Sequence, residues 1–371
     1  MNNLELKKKT KRILFVSHNL EPEGATWSLF YLVKGFKRLG YEVSVISPQD
    51  GPLTDFYKNE GVDVSVFDFF SRTCPRQLLM DVDVFFVNTI LGYKFIKNLN
   101  VEKNKIVWCI RESEREVYFN KYADLKKEFF SEVARVVFVA KSTMEIYGDM
   151  ERNNFVTIYN GLDLGKINAF IKKNSKQGMR RKYGIADTDL IFCIVGAVCL
   201  RKGQLEFTQA AIKLLNKTRN RKLKFLIIGG RDSLYERRIN EIIQESGYAE
   251  NIKIIKESLG AYEYFLMSDF FVCNSYIESF PRVVLEAMAF NLPIIATDVY
   301  GISEQIENKK EGILIMAGDV AELFQKMKWM LENKNNANEL ANNARKKVEK
   351  DFSFEIMLEK YETLIKNICV E

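Results

Sequence analysis

Short apolar runs rich in β-branched and aromatic residues recur through the first half of the chain. Ile13–Ser17, Glu42–Ile46, Val62–Phe67, Val84–Val87, Ile106–Ile110 and Val136–Val139 predict buried strands. Most are separated by stretches of helical periodicity, such as Ser28–Leu39 and Tyr122–Val133. Near-continuous apolar strands alternating with helices predict a parallel sheet covered on both faces. The pattern then restarts, with strands expected at Leu190–Val195, Leu223–Ile228, Ile252–Ile255, Phe270–Cys273, Ile294–Ala296 and Gly312–Ile315. Helices are expected between them at Gln204–Asn216, Leu234–Ser246, Val283–Phe290 and Val320–Glu332. The polar, Lys- and Asn-rich stretch Leu164–Gly184 reads as a connection between two domains, with a short helix. From about Asn335 to Cys369 the chain is charged and helical, with no strand. Two α/β domains side by side create a cleft, and open α/β sheets bind ligands at the carboxyl ends of their strands.

Length agrees with this pattern, since 371 residues at ~150 per domain give about two and a half domains. Apolar residues make up 47% and charged residues 28%, with only 6 Pro beside 20 Gly, which excludes disordered, collagen-like and mucin-like chains. The balance of 55 basic and 49 acidic residues leaves a net charge of +6, and no nucleic-acid partner is expected. Six cysteines, at 74, 109, 193, 199, 273 and 369, form no Cys-x-x-Cys pair and several fall inside strand-like runs. Free buried thiols in a reducing compartment account for them better than a disulfide framework or a zinc site. No apolar run approaches the ~20 residues of a membrane span, and the polar, basic N-terminus lacks the apolar core of a secretory signal. A cytoplasmic location is expected.

The segment Asn274–Ile306, NSYIESFPRVVLEAMAFNLPIIATDVYGISEQI, carries the clearest chemical pattern. It follows the predicted strand ending at Cys273 and opens a helix at Pro281, a residue suited to a first helical position. N–H groups at a helix start, helped by the positive end of the macrodipole, bind anions. Here they belong to Phe280, Arg282 and Val283, since Pro281 has none. Glu278 lies in the preceding loop, and Glu286 lies ~7.5 Å along the helix axis beyond Pro281. Carboxylates on two sides of an anion site suit a nucleotide sugar, whose hydroxyl-bearing rings flank a diphosphate. On spacing alone, a surface Glu, a helical Glu and a helix-starting Pro account for the pattern equally well.

The full wording resembles the signature of the retaining glycosyltransferases of family 4. It has Glu-(x)7-Glu within ESFPRVVLEAMA, then LPIIATD, then a Gly followed by a Glu: here Glu278, Glu286, Leu292–Asp298, Gly301 and Glu304. Lys11–Pro48 is similar to the family's opening strand, Gly-containing loop, helix and second strand. Ile158–Ile167, IYNGLDLGKI, is similar to its passage between domains, and Gly196–Ala211, GAVCLRKGQLEFTQAA, to the opening of its nucleotide-binding domain. The resemblance implies an α/β GT-B fold, two Rossmann-like parallel-sheet domains facing each other across a cleft. It assigns 1–165 to acceptor binding, 166–350 to nucleotide-sugar donor binding, and 351–371 to a C-terminal helix crossing back to the first domain. The implied reaction moves a sugar from a nucleoside-diphosphate sugar, UDP being the favoured carrier, to an acceptor hydroxyl with retention, in surface glycan or glycolipid biosynthesis. The acceptor is a glycan, a lipid-linked sugar or a small molecule; no cofactor and no metal are expected. Residue by residue, the resemblance implies that Glu286 holds the donor ribose and Glu278 the donor sugar. Lys202 contacts the diphosphate and stabilises it as it leaves. Gly24 lets backbone approach donor phosphates or acceptor, or is a plain turn glycine.

This chain also departs from the family. Gly196–Ala197 stands where members often have Gly-Arg, and Arg201, adjoining Lys202, is the candidate to supply the missing charge. A single Gly24 replaces a glycine pair. Arg111 and Glu112 follow the strand Ile106–Ile110 where a His is frequent, which suggests an acceptor bound by Arg111 through an anionic group. The only histidine, His18, follows the first strand, and structural and acceptor-binding roles are both open. The one suggestive Asp-x-Asp, Asp81–Val82–Asp83, lies at the wrong end of its strand for the cleft and reads as an exposed turn. A sugar-nucleotide epimerase of GT-B fold is the rival enzyme, although such enzymes generally lack the Glu-(x)7-Glu block. A dinucleotide oxidoreductase is disfavoured, because SHNLEPEG rather than G-x-G-x-x-G follows the first strand. The run Lys7, Lys8, Lys9, Lys11 and Arg12 leaves open a membrane-surface or polyanion-binding module. Each cation near an anionic membrane is worth ~1 kcal/mol, and such a chain would sit peripherally at the inner face of the cell membrane.

Overall fold

The computed structural model describes residues 11–99, 102–150, 153–256 and 260–369. The chain forms two units, one from residues up to Tyr159 together with those from Met357 onward, the other from Asn160 to Ile356.

The first unit is built on a parallel seven-stranded sheet. Its strands are β1 (Arg12–Val16), β2 (Glu42–Ser47), β3 (Asp63–Val66), β4 (Val84–Asn88), β5 (Ile106–Ile110), β6 (Arg135–Phe138) and β7 (Phe155–Thr157), in the order β3-β2-β1-β4-β5-β6-β7. Every residue of β4 and β5 is buried, which is why both read as unbroken apolar runs. Aromatic pairs such as Phe15–Phe86 (5.3 Å) and Trp108–Phe130 (4.5 Å) fill the core on either side. Burying each such side chain contributes about 1.5–3 kcal/mol. The C-terminal helix Phe354–Ile368 adds Tyr361 to this core, 1% exposed, its ring 5.4 Å from Phe86 and its hydroxyl 3.6 Å from Cys109 Sγ.

Two features of this unit differ from the pattern. β7 is a three-residue edge strand, too short to stand out. The helix expected over Tyr122–Val133 shrinks to Glu128–Glu132, and a separate helix, Arg115–Lys121, ends just before that span. Tyr122 and Leu125 pack from a turn before that helix, where Asp124 accepts hydrogen bonds from Tyr93 Oη (2.6 Å) and Lys97 Nζ (2.9 Å).

The second unit repeats the plan with a six-stranded parallel sheet. The strands β8 (Leu190–Val195), β9 (Leu223–Gly230), β10 (Ile252–Lys256), β11 (Phe270–Cys273), β12 (Ile294–Thr297) and β13 (Ile313–Ile315) run in the order β10-β9-β8-β11-β12-β13. Phe192 stacks between Phe225 (5.5 Å) and Phe270 (4.5 Å) across three of these strands. The stretch read as a connection is instead two helices of this unit, Leu164–Lys173 and Lys176–Lys182. Arg180, only 4% exposed, donates to Met267 O (3.0 Å), Asp187 O (2.8 Å) and Asp269 Oδ2 (2.7 Å). Lys176 reaches the other oxygen of Asp269, so basic residues that suggest a solvated linker serve as anchors. In each sheet the strand order reverses beside its first strand, between β1 and β4 and between β8 and β11. The carboxyl ends there are the binding positions of doubly wound folds.

Candidate functional site

In the second unit, the loops after β8 and β11 are pressed together. Gly203 has φ +67, and a Cβ there would lie 2.0 Å from Asn274 O, so only glycine lets the turn approach so closely. Asn274 Nδ2 donates to Gly203 O (3.0 Å), while buried Gln204 donates through Nε2 to Ala197 O (3.1 Å). These ties carry the turn Leu200–Lys202 onto the loop that holds Glu278. Lys202 Nζ hydrogen-bonds Glu278 Oε1, and Arg201 Nη1 lies 3.4 Å from the same oxygen. Arg201 also donates to Ile277 O (3.1 Å), and Ser275 Oγ donates to Glu278 Oε1 (3.1 Å). The Lys202 and Glu278 side chains are only 15% and 10% exposed. Burial works to raise the Glu278 carboxyl, yet the Lys202 and Arg201 charges, with hydrogen bonds from Lys202 and Ser275, hold it below the ordinary carboxylate range. The result is an ionised, largely desolvated carboxylate gripping two cations.

The adjoining helix spans Arg282–Ala289, with Pro281 as its N-cap, one residue outside the predicted first helical position. Gln305 Nε2 donates to Pro281 O (3.0 Å), which fixes the helix start. Phe280 turns its ring into the core against Phe352 (5.4 Å), so any ligand contact from it falls to its backbone. The Arg282 and Val283 N–H groups lie in the first turn, outside the intrahelical ladder. Glu286 Oε1 lies 3.8 Å from Arg282 Nη2. Burial raises its carboxyl against the opposing charges of Arg282 and Lys166.

In the first unit a second polar cluster occupies the ends of β1, β4 and β5. Arg111 Nε donates to Asn88 Oδ1 (2.7 Å), and Asn88 Nδ2 donates to Ala25 O (3.2 Å) in the helix Gly24–Arg38. Glu112 Oε2 accepts from the backbone N–H groups of Ile90 (3.0 Å) and Arg111 (2.8 Å). Burial lifts the Glu112 carboxyl to about 7, despite those hydrogen bonds and the Arg111 charge. His18 Nε2 lies 4.0 Å from Glu23 Oε2, and its Nδ1 is buried without a hydrogen-bond partner. Burial, and secondarily the Arg111 charge, lower the imidazole to about 4, so it is neutral at physiological pH. Gly24 has open space around its Cβ position, so nothing in the chain itself demands a glycine there.

A family model described as glycosyl transferases group 1 matches residues 175–347, and one described as glycosyl-transferase family 4 matches residues 9–160. The chain belongs to glycosyltransferase family 4. A relative in this family, the capsular polysaccharide biosynthesis glycosyltransferase CapM of Staphylococcus aureus, is 25% identical over 61% of this chain. That match spans 59% of CapM, less than two thirds of its length. The N,N'-diacetylbacillosaminyl-diphospho-undecaprenol alpha-1,3-N-acetylgalactosaminyltransferase of Campylobacter jejuni is 24% identical over 96% of this chain and 100% of its own. The fold is GT-B: HepE from Anabaena, solved with UDP and glucose, superposes with a TM-score of 0.83 at 17% identity, covering 96% of this chain and 100% of HepE.

Within this family member, the structure brings Arg201, Lys202 and Glu278 to one point of the second unit, and places Glu286 on the neighbouring helix. Arg201 reaches the carboxylate that Lys202 holds. His18, Arg111 and Glu112 gather in the first unit, with Gly24 opening the helix whose next carbonyl Asn88 binds. Sequence reasoning missed Ser275, Asn274, Gln204 and Asn88; the signal for Asn88, Asn274 and Ser275 is a polar residue at or just past the end of an apolar strand, and for Gln204 its place straight after the Lys202–Gly203 turn. Of the basic N-terminal run, Lys7, Lys8 and Lys9 lie outside the described residues. Lys11 lies 3.8 Å from Asp83, and Arg12 3.5 Å from Glu42. The same Asp83 accepts from Arg12 N (2.8 Å) at the start of β4. All six cysteines are free thiols, four of them buried. Among the described residues no helix is long and apolar enough to cross a membrane.

Proposed function

We propose that the protein is a retaining glycosyltransferase that moves a sugar from a nucleoside-diphosphate sugar, UDP-linked, to an acceptor hydroxyl in the assembly of a surface glycan or glycolipid. The observation that carries this reading is the pair Arg201 and Lys202 converging on one desolvated oxygen of Glu278, beside the helix bearing Glu286. Without ligand, Glu278 neutralises both cations. A diphosphate takes them over, and the freed carboxylate accepts hydroxyl hydrogen bonds from the donor sugar. Fixed cations in a dry site are worth most where the leaving diphosphate develops charge. Glu286 holds the ribose hydroxyls, and first-turn N–H groups of Arg282 and Val283, with the backbone at Phe280, add anion contacts.

Glu278 is a poor nucleophile while two cations hold it. Transfer therefore proceeds by front-face attack within an ion pair, the leaving phosphate accepting the acceptor's proton. The two cations supply the charge compensation, so no metal is needed. Arg111, braced by Asn88, suits an acceptor with an anionic group, and His18 and Glu112 complete its surroundings. The names of the relatives support the substrate class: one acts in capsular polysaccharide synthesis, another on a diphospho-undecaprenol acceptor. Such an acceptor places the enzyme peripherally at the inner face of the membrane.

The test is incubation with a panel of UDP-sugars and lipid-linked or simple glycoside acceptors in EDTA, with the product's anomeric configuration read by NMR. Transfer with retention is expected. An inverted product, an adduct trapped on Glu278, or a strict metal requirement overturns the mechanism, and acceptor-independent epimer formation selects the epimerase instead.

A further inference from the structure

In the second unit, the turn Leu200–Lys202 after β8 meets the loop after β11, and part of what joins them is charge. Lys202 Nζ and Arg201 Nη1 both reach Glu278 Oε1. A donor diphosphate that takes over the two cations breaks those contacts just when the position of the cations matters most. Ties that do not run through Glu278 must then hold the turn, because small misplacements of a charged group cost much of its effect.

Tyr276 supplies two such ties. Its backbone N–H donates to Arg201 O (2.9 Å), and its hydroxyl donates to Glu206 Oε1 (2.7 Å) in the first turn of the helix Gln204–Thr218. One loop residue therefore grips the chain on both sides of Lys202, and neither bond is an ion pair. Burial, and the Glu206 carboxylate that it bonds, push the Tyr276 hydroxyl up to about 12, so it stays a donor at neutral pH. The helix start is itself braced, since Tyr235 Oη accepts from Leu205 N (3.2 Å) and Gly203 O accepts from Phe207 N (3.1 Å) and Asn274 Nδ2 (3.0 Å). Glu206 Oε2 is buried without a hydrogen-bond partner, and Tyr276 is the one partner of this carboxylate among the described residues. A buried, unsatisfied oxygen costs stability, and an apolar side chain would fill the same space without that cost. What the carboxylate adds is an acceptor for Tyr276.

We propose that Tyr276, with Glu206 as the anchor of its hydroxyl, is a positioning residue that keeps Arg201 and Lys202 in place for the donor diphosphate after both cations have left Glu278. This rests on the reading of those cations as the diphosphate site. Because the clasp acts through the cations, its loss weakens binding of a nucleoside diphosphate and leaves binding of the bare nucleoside as it was. A general loosening of the unit would weaken both.

Two measurements on the full chain test the proposal. In the first, calorimetry compares UDP, GDP, ADP and dTDP with their nucleosides, and the pair with the largest difference in wild type is carried into the variants. Tyr276→Phe keeps the ring but lacks the hydroxyl, and should weaken the nucleoside diphosphate about tenfold while the nucleoside binds as before. Glu206→Gln still accepts from Tyr276 and should bind the diphosphate within about threefold of wild type. Undiminished diphosphate affinity in Tyr276→Phe, an equal loss of diphosphate and nucleoside, or a Glu206→Gln variant as weak as Tyr276→Phe overturns the positioning role. A wild type that prefers no nucleoside diphosphate to its nucleoside removes the diphosphate reading itself, a distinct failure. The second measurement needs no ligand. In urea, followed by circular dichroism, the double variant Tyr276→Phe/Glu206→Leu should unfold no earlier than the less stable of the two single variants. Additive shifts of the midpoint overturn the link between the two side chains.

Discussion

Glu112→Gln isolates the electrostatics of the first unit's cluster. Burial lifts this carboxyl from 4.5 to about 7. Between those values the unfolded chain gives up the proton and the folded chain keeps it, so stability falls as pH rises. At ~1.4 kcal/mol per pH unit, the loss amounts to about 3 kcal/mol by pH 8, an upper value because the side chain is only partly buried. Glutamine can accept the same two N–H bonds, from Ile90 and Arg111, and does not titrate. The variant should therefore gain about 2–3 kcal/mol on wild type between pH 5 and pH 8. Urea unfolding at both pH values, with Trp329→Phe as the common background so that Trp27 and Trp108 report the first unit, reads the difference. Other groups titrate alike in both proteins and cancel. His18, held near 4 by burial and Arg111, is neutral in the folded chain across this window, and its titration in the unfolded chain is common to both proteins and cancels. Parallel stability curves for the two proteins would refute the reasoning.

Lys202→Met strands Glu278 as a desolvated carboxylate with Arg201 alone and should destabilise the second unit by about 3 kcal/mol, most of it recovered by adding Glu278→Gln; additive losses in denaturant would contradict a buried pair. Gly203→Ala meets both φ +67 and Asn274 O at 2.0 Å, and should cost at least ~2 kcal/mol in thermal unfolding, whereas Gly24→Ala, with open space at its Cβ, should match or slightly exceed wild type. If Gly24→Ala keeps its stability and loses transfer, a ligand rather than the protein requires that glycine.

Much of the fold was legible because the parallel strands are buried on both faces and leave unbroken apolar runs. Ile106–Ile110 and Leu190–Val195 come out with the boundaries read from the pattern. What local pattern cannot carry is partnership at long range. Arg180 looks like linker charge until Asp269 is seen beneath it, and Lys202 meets Glu278 across 76 residues of sequence. The Glu278–Glu286 block could be read because both residues lie on one continuous loop and helix. The corner at Thr89, with φ 68, could not, since a Thr after Val87–Asn88 looks like an ordinary strand end and that backbone shape exists only in the folded chain. The Tyr122–Val133 periodicity misled for a related reason: Tyr122 and Leu125 reach the core from a turn and so extend the apolar face of the short helix that bears Phe129 and Phe130.

The central claim, that Arg201 and Lys202 receive the diphosphate of a nucleotide donor, is tested most directly by calorimetric binding of UDP and of uridine in EDTA. Wild type should bind UDP at least tenfold more tightly than uridine, about 1.4 kcal/mol or more. That advantage should vanish in Arg201→Ala/Lys202→Met, while uridine binds as before. Undiminished UDP affinity in the double variant, or no preference for UDP over uridine in wild type, would contradict the account.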